Sequence, residues 1–244
     1  MNEAAAAGEE VLARIAGGAM LYDASCLGHP AVEVFETRHW QQAGALQSAA
    51  GGRGTVAFIT TAHGERWVLR HYRRGGLVAR WLDDRYAWTG ESRTRSFAEW
   101  RLLRQLRAWN LPVPRPVAAR YQRDGWFYRA DLLTAELPTR TTLAAALSAA
   151  PLPMDSWQAV GRCVAALHAH GVHHADLNAN NLLLGTDATV FVLDFDRGRI
   201  RARGAWEQRV LARLRRSLVK VSAGLPGDRF GDPQWSQLLR GLAG

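Results

Sequence analysis

Residues 167–196 read LHAHGVHHADLNANNLLLGTDATVFVLDFD, and this stretch constrains the chain more than any other. Two apolar runs, 182–184 and 190–193, are too short for helices and predict a pair of short strands. A polar segment holding His174, Asp176 and Asn181 precedes the first run, and Asp194-Phe195-Asp196 follows the second. Asn181 lies five residues after Asp176, so one tight loop can aim both side chains at a single target. Asp194 follows a buried strand, and a rigid strand end is a suitable mount for a side chain that must be placed accurately.

The pattern His174-x-Asp176-Leu177-x-x-x-Asn181, followed eighteen residues after Asp176 by Asp194-Phe195-Asp196, resembles the catalytic loop and metal-binding turn of the protein-kinase-like fold. Phosphoryl transfer needs a carboxylate beside the attacking hydroxyl and oxygen ligands on Mg²⁺ ions that bridge the ATP phosphates. The resemblance implies that Asp176 is the catalytic base and that Asn181 and Asp194 are metal ligands. His174 would brace the metal-binding turn. Asp196, where many kinases carry glycine, is a second carboxylate near the metals; it binds Mg²⁺, binds substrate or caps the following turn. The plainer reading is that Asp176 and Asn181 cap turns, as Asp and Asn commonly do, and that Asp194 caps a helix. His168, His170, His173 and His174 also invite a zinc reading, but the loop pattern already assigns one of them.

At 244 residues and 27.0 kDa the chain is long enough for one to two domains with a real core. Its formal charge of +9 and pI near 10.6 call for an acidic partner: nucleic acid, a phosphorylated substrate or an anionic membrane. Lys220 is the only lysine, which excludes a Walker-A nucleotide site. Cys26 and Cys163 are too far apart in sequence for a C-x-x-C pair or a zinc framework; a reducing, cytosolic compartment is the simplest reading and a single disulfide the alternative. Neither a secretory leader nor an apolar run of transmembrane length is expected.

Along the chain, residues 1–20 are Ala/Gly-rich and are expected to be weakly ordered, with at most a short helix. Strands are predicted over 56–60 and 66–72, and a hairpin over 117–120 and 126–133 about Asp124-Gly125. Residues 94–109 have helical spacing, with Phe97, Trp100, Leu103, Leu106 and Leu102 on one stripe. Prolines 112, 114 and 116 end that helix. Helices are predicted over 141–149, 154–170, 203–222 and 232–242. The fold class expected is α+β: a bilobal protein-kinase-like fold with a small β-rich N-lobe carrying one long helix and a mainly helical C-lobe. Residues 1–46 would be an N-terminal extension, 47–134 the N-lobe and 135–244 the C-lobe.

The N-lobe should hold the nucleotide clamp. Gly52 and Gly54 precede a strand, where glycine lets backbone N–H groups approach phosphates; a plain hairpin turn is the alternative. Trp67-Val68-Leu69-Arg70 stands where kinases carry V-A-I-K. Arg70 is the substitute for the missing lysine, with Glu99 of the 94–109 helix as its partner; otherwise Glu99 is a solvated charge.

The segments LRHYRRGGL (69–77), TRSFAEWRLL (94–103), LPVPRPVAA (111–119), HHADLNANNLLL (173–184), VLDFDRGR (192–199) and the tail from Trp206 to Lys220 together resemble the 3-deoxy-D-manno-octulosonic acid (Kdo) kinases. That resemblance implies ATP- and Mg²⁺-dependent phosphorylation of the Kdo 4-hydroxyl on a lipid A precursor. It implies a peripheral location on the cytoplasmic face of the bacterial inner membrane. The acceptor would be the Kdo-lipid A precursor, the second partner the anionic membrane surface, with no nucleic acid and a monomeric protein. A heptose kinase of the lipopolysaccharide core, or another small-molecule kinase, is the alternative, and a basic nucleic-acid-binding module the remote one. The absence of A-P-E after Asp194 argues against protein substrates. The basic segment from Arg197 to Lys220 suits anionic lipid, although Leu211, Leu214 and Leu218 also read as inward-packing residues. Tyr86, Trp81 and Trp88 read as either core or membrane-facing.

Overall fold

A computed structural model describes residues 8–50, 56–73, 84–225 and 229–244. It is a mixed α/β structure with one large antiparallel sheet and six α-helices among the described residues. The chain divides into two compact units: Met1–Ala108 with Pro114–Glu136, and Trp109–Val113 with Leu137–Gly244.

The first unit begins with a hairpin, β1 (Glu10–Ile15) and β2 (Gly18–Asp23). Over residues 8–20 this corrects the expectation of a weakly ordered start with at most a short helix; residues 1–7 lie outside the described residues. Within an Ala/Gly-rich composition Val11, Ala13 and Ile15 alternate, and all three pack against the core; the period of two decides for strand. Gly18 permits the close pairing, since a Cβ there would sit 2.0 Å from the Tyr121 carbonyl oxygen. A short helix α1 (Thr37–Gln42) follows, then β3 (Leu46–Ala50), β4 (Val56–Thr60), β5 (Arg66–His71), β6 (Tyr86–Ala87), the helix α2 (Arg95–Ala108), β7 (Pro116–Asp124) and β8 (Phe127–Ala135). The sheet order is β1-β2-β7-β8-β5-β4-β3, with β6 also on β8. Residues 8–46 are therefore no appendage to a domain starting at residue 47, because β2 is paired along its length with β7.

Alternation along β5 sorts its side chains between two faces. Trp67 and Leu69 are buried in a core shared with Ile59, Met20, Val117 and Leu133, and Trp40 meets the Trp67 ring edge-on at 6.0 Å. Arg70 takes the other face. α2 lies against β7 and β8 and buries Phe97, Trp100, Leu102, Leu103 and Leu106, the stripe expected from its spacing. Glu99 is buried with them.

The second unit opens with β9 (Thr139–Thr142) and α3 (Leu143–Ala149). The helix expected from residue 141 starts at 143, because the Thr142 hydroxyl accepts a hydrogen bond from Ala145 N–H as an N-cap. α4 (Met154–Ala169) leads to β10 (Val172–His173), β11 (Leu182–Gly185), β12 (Val190–Val192), β13 (Arg199–Ile200), α5 (Trp206–Ser222) and α6 (Asp232–Ala243). α4 and α6 pack closely through two glycines. A Cβ on Gly161 would lie 2.0 Å from the Leu238 carbonyl oxygen, and one on Gly241 2.1 Å from that of Gln158. α5 turns Trp206, Val210, Leu214 and Leu218 inward, a spacing of four that keeps one apolar stripe. No helix among the described residues is long and apolar enough to cross a membrane.

Candidate active site

β11 and β12 pair antiparallel, Leu182 opposite Val192 and Leu184 opposite Val190. The pairing runs one step further, because Leu193 N–H donates to the Asn181 carbonyl at 2.9 Å. The end of the polar loop and the residue preceding Asp194 are thereby backbone neighbours.

His174 ties the same two segments together. It is 1% exposed and meets the Phe195 ring edge-on at 4.9 Å. Its Nδ1 accepts from Asp176 N–H at 3.2 Å, so the proton is on Nε2, which donates to the Leu193 carbonyl at 2.8 Å. Burial pushes its pKa down; the Leu193 carbonyl and the carboxylates of Asp194 and Asp176 oppose that shift. The neutral ring thus fixes the start of the loop to the strand end that carries Asp194.

Inside the loop, the amide N–H groups of Asn178 and Asn181 both donate to the Asp176 carbonyl, at 2.9 and 3.0 Å. The side-chain oxygen of Asn178 accepts from Asn180 N–H, and Ser217 Oγ of α5 accepts from Ala179 N–H at 3.1 Å. Asp176 remains exposed. Its Oδ1 accepts from Arg213 Nη1 of α5 at 2.5 Å and its Oδ2 from Asn178 Nδ2 at 3.3 Å. With its nitrogen committed to the loop, Asn181 has Oδ1 as its acceptor atom. Asp194 adopts φ +62°, a left-handed conformation that Asp tolerates better than most residues and that turns the chain sharply at the strand end.

Among the described residues, no group of three or more His, Cys, Asp or Glu gathers as a metal site. The local donors are Asp194, Asp196 and the Asn181 amide oxygen, a hard all-oxygen set. That chemistry fits Mg²⁺, which takes one or two carboxylates and completes its shell with water and phosphate. No three of the four histidines gather in one group: His170 stacks on Trp109, His168 and His173 both meet Trp206 edge-on, and His174 is in the loop.

In the first unit, Arg70 Nη2 and Glu99 Oε2 form an ion pair, so Glu99 is not a solvated charge. The sequence did not point to its third member. Tyr72 donates its hydroxyl to Glu99 Oε2 at 2.5 Å and accepts from Arg70 at 3.0 Å, and the guanidinium lies 4.6 Å from the Tyr72 ring centre. Burial, then the neighbouring Glu99 carboxylate, hold the Tyr72 hydroxyl well above its ordinary pKa. A second row crosses the sheet at register-matched positions: His71 opposite Asp131, Asp131 opposite Arg120. Arg120 reaches onward to Glu36 at 2.7 Å.

Gly52 and Gly54 lie outside the described residues, as do Arg74, Gly75, Gly76 and Trp81. Tyr86 is buried and Trp88 packs against Tyr121 and Tyr128, so both belong to the first unit's aromatic packing. Arg213 and Ser217 were not distinguishable in sequence from other polar residues of α5. The one available signal is that Arg213 belongs to a helical row of cations.

A sequence profile described as the lipopolysaccharide kinase (Kdo/WaaP) family matches residues 37–241. A 3-deoxy-D-manno-octulosonic acid kinase of Stenotrophomonas maltophilia (strain K279a) is 45% identical over 207 residues, which cover 84% of this chain and 81% of that protein. Proteins of the same name from Xanthomonas campestris pv. campestris (strain B100) and Xanthomonas oryzae pv. oryzae (strain PXO99A) are 44% and 43% identical, the latter over 91% of this chain and 88% of its own. The chain belongs to the lipopolysaccharide kinase (Kdo/WaaP) family.

Proposed function

We propose that this protein transfers the γ-phosphoryl group of ATP to the 4-hydroxyl of Kdo on a Kdo-lipid A precursor. The observation that carries the reading is the braced loop: Asp176 is exposed on a segment whose backbone is tied to the Asp194 turn through neutral His174 and the Asn181–Leu193 hydrogen bond. The name shared by the similar proteins supplies the acceptor.

Asp176 accepts the hydrogen bond of the acceptor hydroxyl and takes its proton as the new O–P bond forms and the bond from the γ-phosphorus to the departing ADP oxygen breaks. Mg²⁺ held by Asn181 Oδ1 and Asp194, with Asp196 as the further carboxylate, supplies charge neutralisation at the phosphates when bound. Arg70 serves as the cation for the nucleotide phosphates, held in one rotamer by Glu99 and Tyr72, and Gly52 and Gly54 serve as the phosphate-facing turn. These roles correspond to a bilobal protein-kinase-like arrangement, the first unit as the nucleotide-binding lobe and the second as the catalytic lobe.

The protein acts as a monomer, peripherally at the cytoplasmic face of the inner membrane. Nine basic residues between 197 and 220 and a formal charge of +9 favour attraction to an anionic lipid surface. Incubating the protein with Kdo-lipid IVA, ATP and Mg²⁺ and weighing the product by mass spectrometry tests the reading. Gain of one phosphate, located on the Kdo by fragmentation, is expected; an unmodified Kdo, or phosphate on another sugar, overturns it.

A further inference from the structure

α5 carries Arg209, Arg213, Arg216 and Lys220 at spacings of four, three and four residues. Those spacings place all four on one helix face, a row about 16 Å long beside the inward apolar stripe. All four are exposed. Among the described residues, Asp176 is the one carboxylate that meets the row, through Arg213.

That contact is chemically incomplete. Arg213 uses one Nη1 hydrogen on one oxygen of Asp176, although a guanidinium offers five N–H donors in a fork that suits a carboxylate. The two side chains are 50% and 55% exposed, so the pair adds little stability and exchanges readily. Arg213 and Asn178 take one hydrogen-bonding position on each oxygen of Asp176, and a carboxylate offers about four, so room is left for the acceptor hydroxyl while most of the Arg213 fork is unused.

Under the functional reading above, on which this inference rests, the acceptor is itself a sugar acid. Its carboxylate is attached to the same ring as the reacting hydroxyl. An acceptor that brings the hydroxyl to Asp176 therefore also brings a carboxylate close to Arg213. We infer that Arg213 is the specificity-determining ligand of the acceptor carboxylate: its unused N–H donors take the incoming carboxylate while Asp176 takes the hydroxyl. The flanking Arg209, Arg216 and Lys220 keep the local potential positive, which favours a sugar acid over a neutral sugar.

The test compares steady-state phosphorylation of a Kdo-lipid acceptor with that of its Kdo methyl ester, by wild type, Arg213→Ala and Arg213→Lys. Esterification removes the carboxylate charge and leaves any lipid phosphates unchanged, so the two anions are separated. For wild type, the ester should raise the acceptor KM by about 10- to 100-fold, the range for a charge-assisted hydrogen bond. Arg213→Ala should show that raised KM with the acid and little further change with the ester. Arg213→Lys should recover part of the discrimination. Equal discrimination by Arg213→Ala and wild type, or a fall in kcat with unchanged KM, overturns the inference alone. Failure of wild type to phosphorylate the acid acceptor overturns the functional reading and this inference with it.

Discussion

In the first unit the Glu99 side chain is 3% exposed and meets both Tyr72 and Arg70; in the second the Asp176 side chain is 55% exposed and its charged partner is Arg213. The first carboxylate is fixed by burial. The second has its backbone fixed, by hydrogen bonds to its carbonyl and from its N–H, while its side chain stays at the surface, bonded to Arg213 and Asn178. A buried ion pair is a positioning device that cannot be opened cheaply. A carboxylate on a braced loop can exchange partners, which the proposed role of Asp176 as proton acceptor requires. Histidine follows the same division. His71 faces Asp131 in the first unit, and that hydrogen bond raises its pKa. His168, His173 and His174 in the second unit are lowered, burial being the largest cause for each.

The largest effect is expected from the exposed carboxylate. Asp176→Ala should cut phosphate transfer by a factor of about 100 to 10,000, the usual contribution of a general base, while its thermal midpoint stays close to wild type. Radiolabelled phosphate transfer beside a melting curve checks both halves; a large loss of stability would put Asp176 in the same class as Glu99. Glu99→Ala should do the reverse in kind. It leaves Arg70 and the Tyr72 hydroxyl without their shared acceptor and should cost about 2–4 kcal/mol in urea unfolding.

The histidines sharpen the comparison through pH. A raised native pKa, as at His71, gives stability that is full below the unfolded value of about 6.5 and is lost as pH rises through the native value. A lowered native pKa, as at His168 and His174, gives stability that is full above about 6.5 and declines as pH falls towards the native value. Amide hydrogen exchange at pH 7.5 and 5.5, corrected for intrinsic rates, should therefore show α4 and the 172–181 loop losing protection in mild acid, with β5 and β8 holding or gaining it. Loss of protection in both regions alike would erase the contrast. The smallest effect is expected from Ser217→Ala, which removes the acceptor of Ala179 N–H and should cost about 1 kcal/mol.

The elements that rest on local periodicity were legible in the sequence. The α2 stripe, the β7–β8 hairpin, the strands β4 and β5 and the inward Leu214 and Leu218 of α5 follow from spacings of two or three to four residues, whereas Leu211 is half-buried. The hairpin β1–β2 was hidden because its alternation is carried by Val11, Ala13 and Ile15 within an Ala/Gly-rich composition that suggests disorder. The loop between Asp176 and Asn181, its pairing with the strand end before Asp194 and the Arg70–Glu99 ion pair were readable from motif spacing. Tyr72 was not, because nothing in a strand sequence says which of two faces meets a charged helix residue. Nor was the Arg213–Asp176 contact, which joins positions 37 residues apart in sequence.

Asp176 for the proton and Asp194 for the metal is the proposed division of labour between two oxygen donors. Calorimetric titration of ATP with and without Mg²⁺ into wild type, Asp176→Asn and Asp194→Asn tests it most directly. Mg²⁺ is expected to strengthen ATP binding to wild type and Asp176→Asn and to lose most of that effect in Asp194→Asn. An Asp194→Asn protein that binds ATP with the same Mg²⁺ dependence as wild type would contradict it.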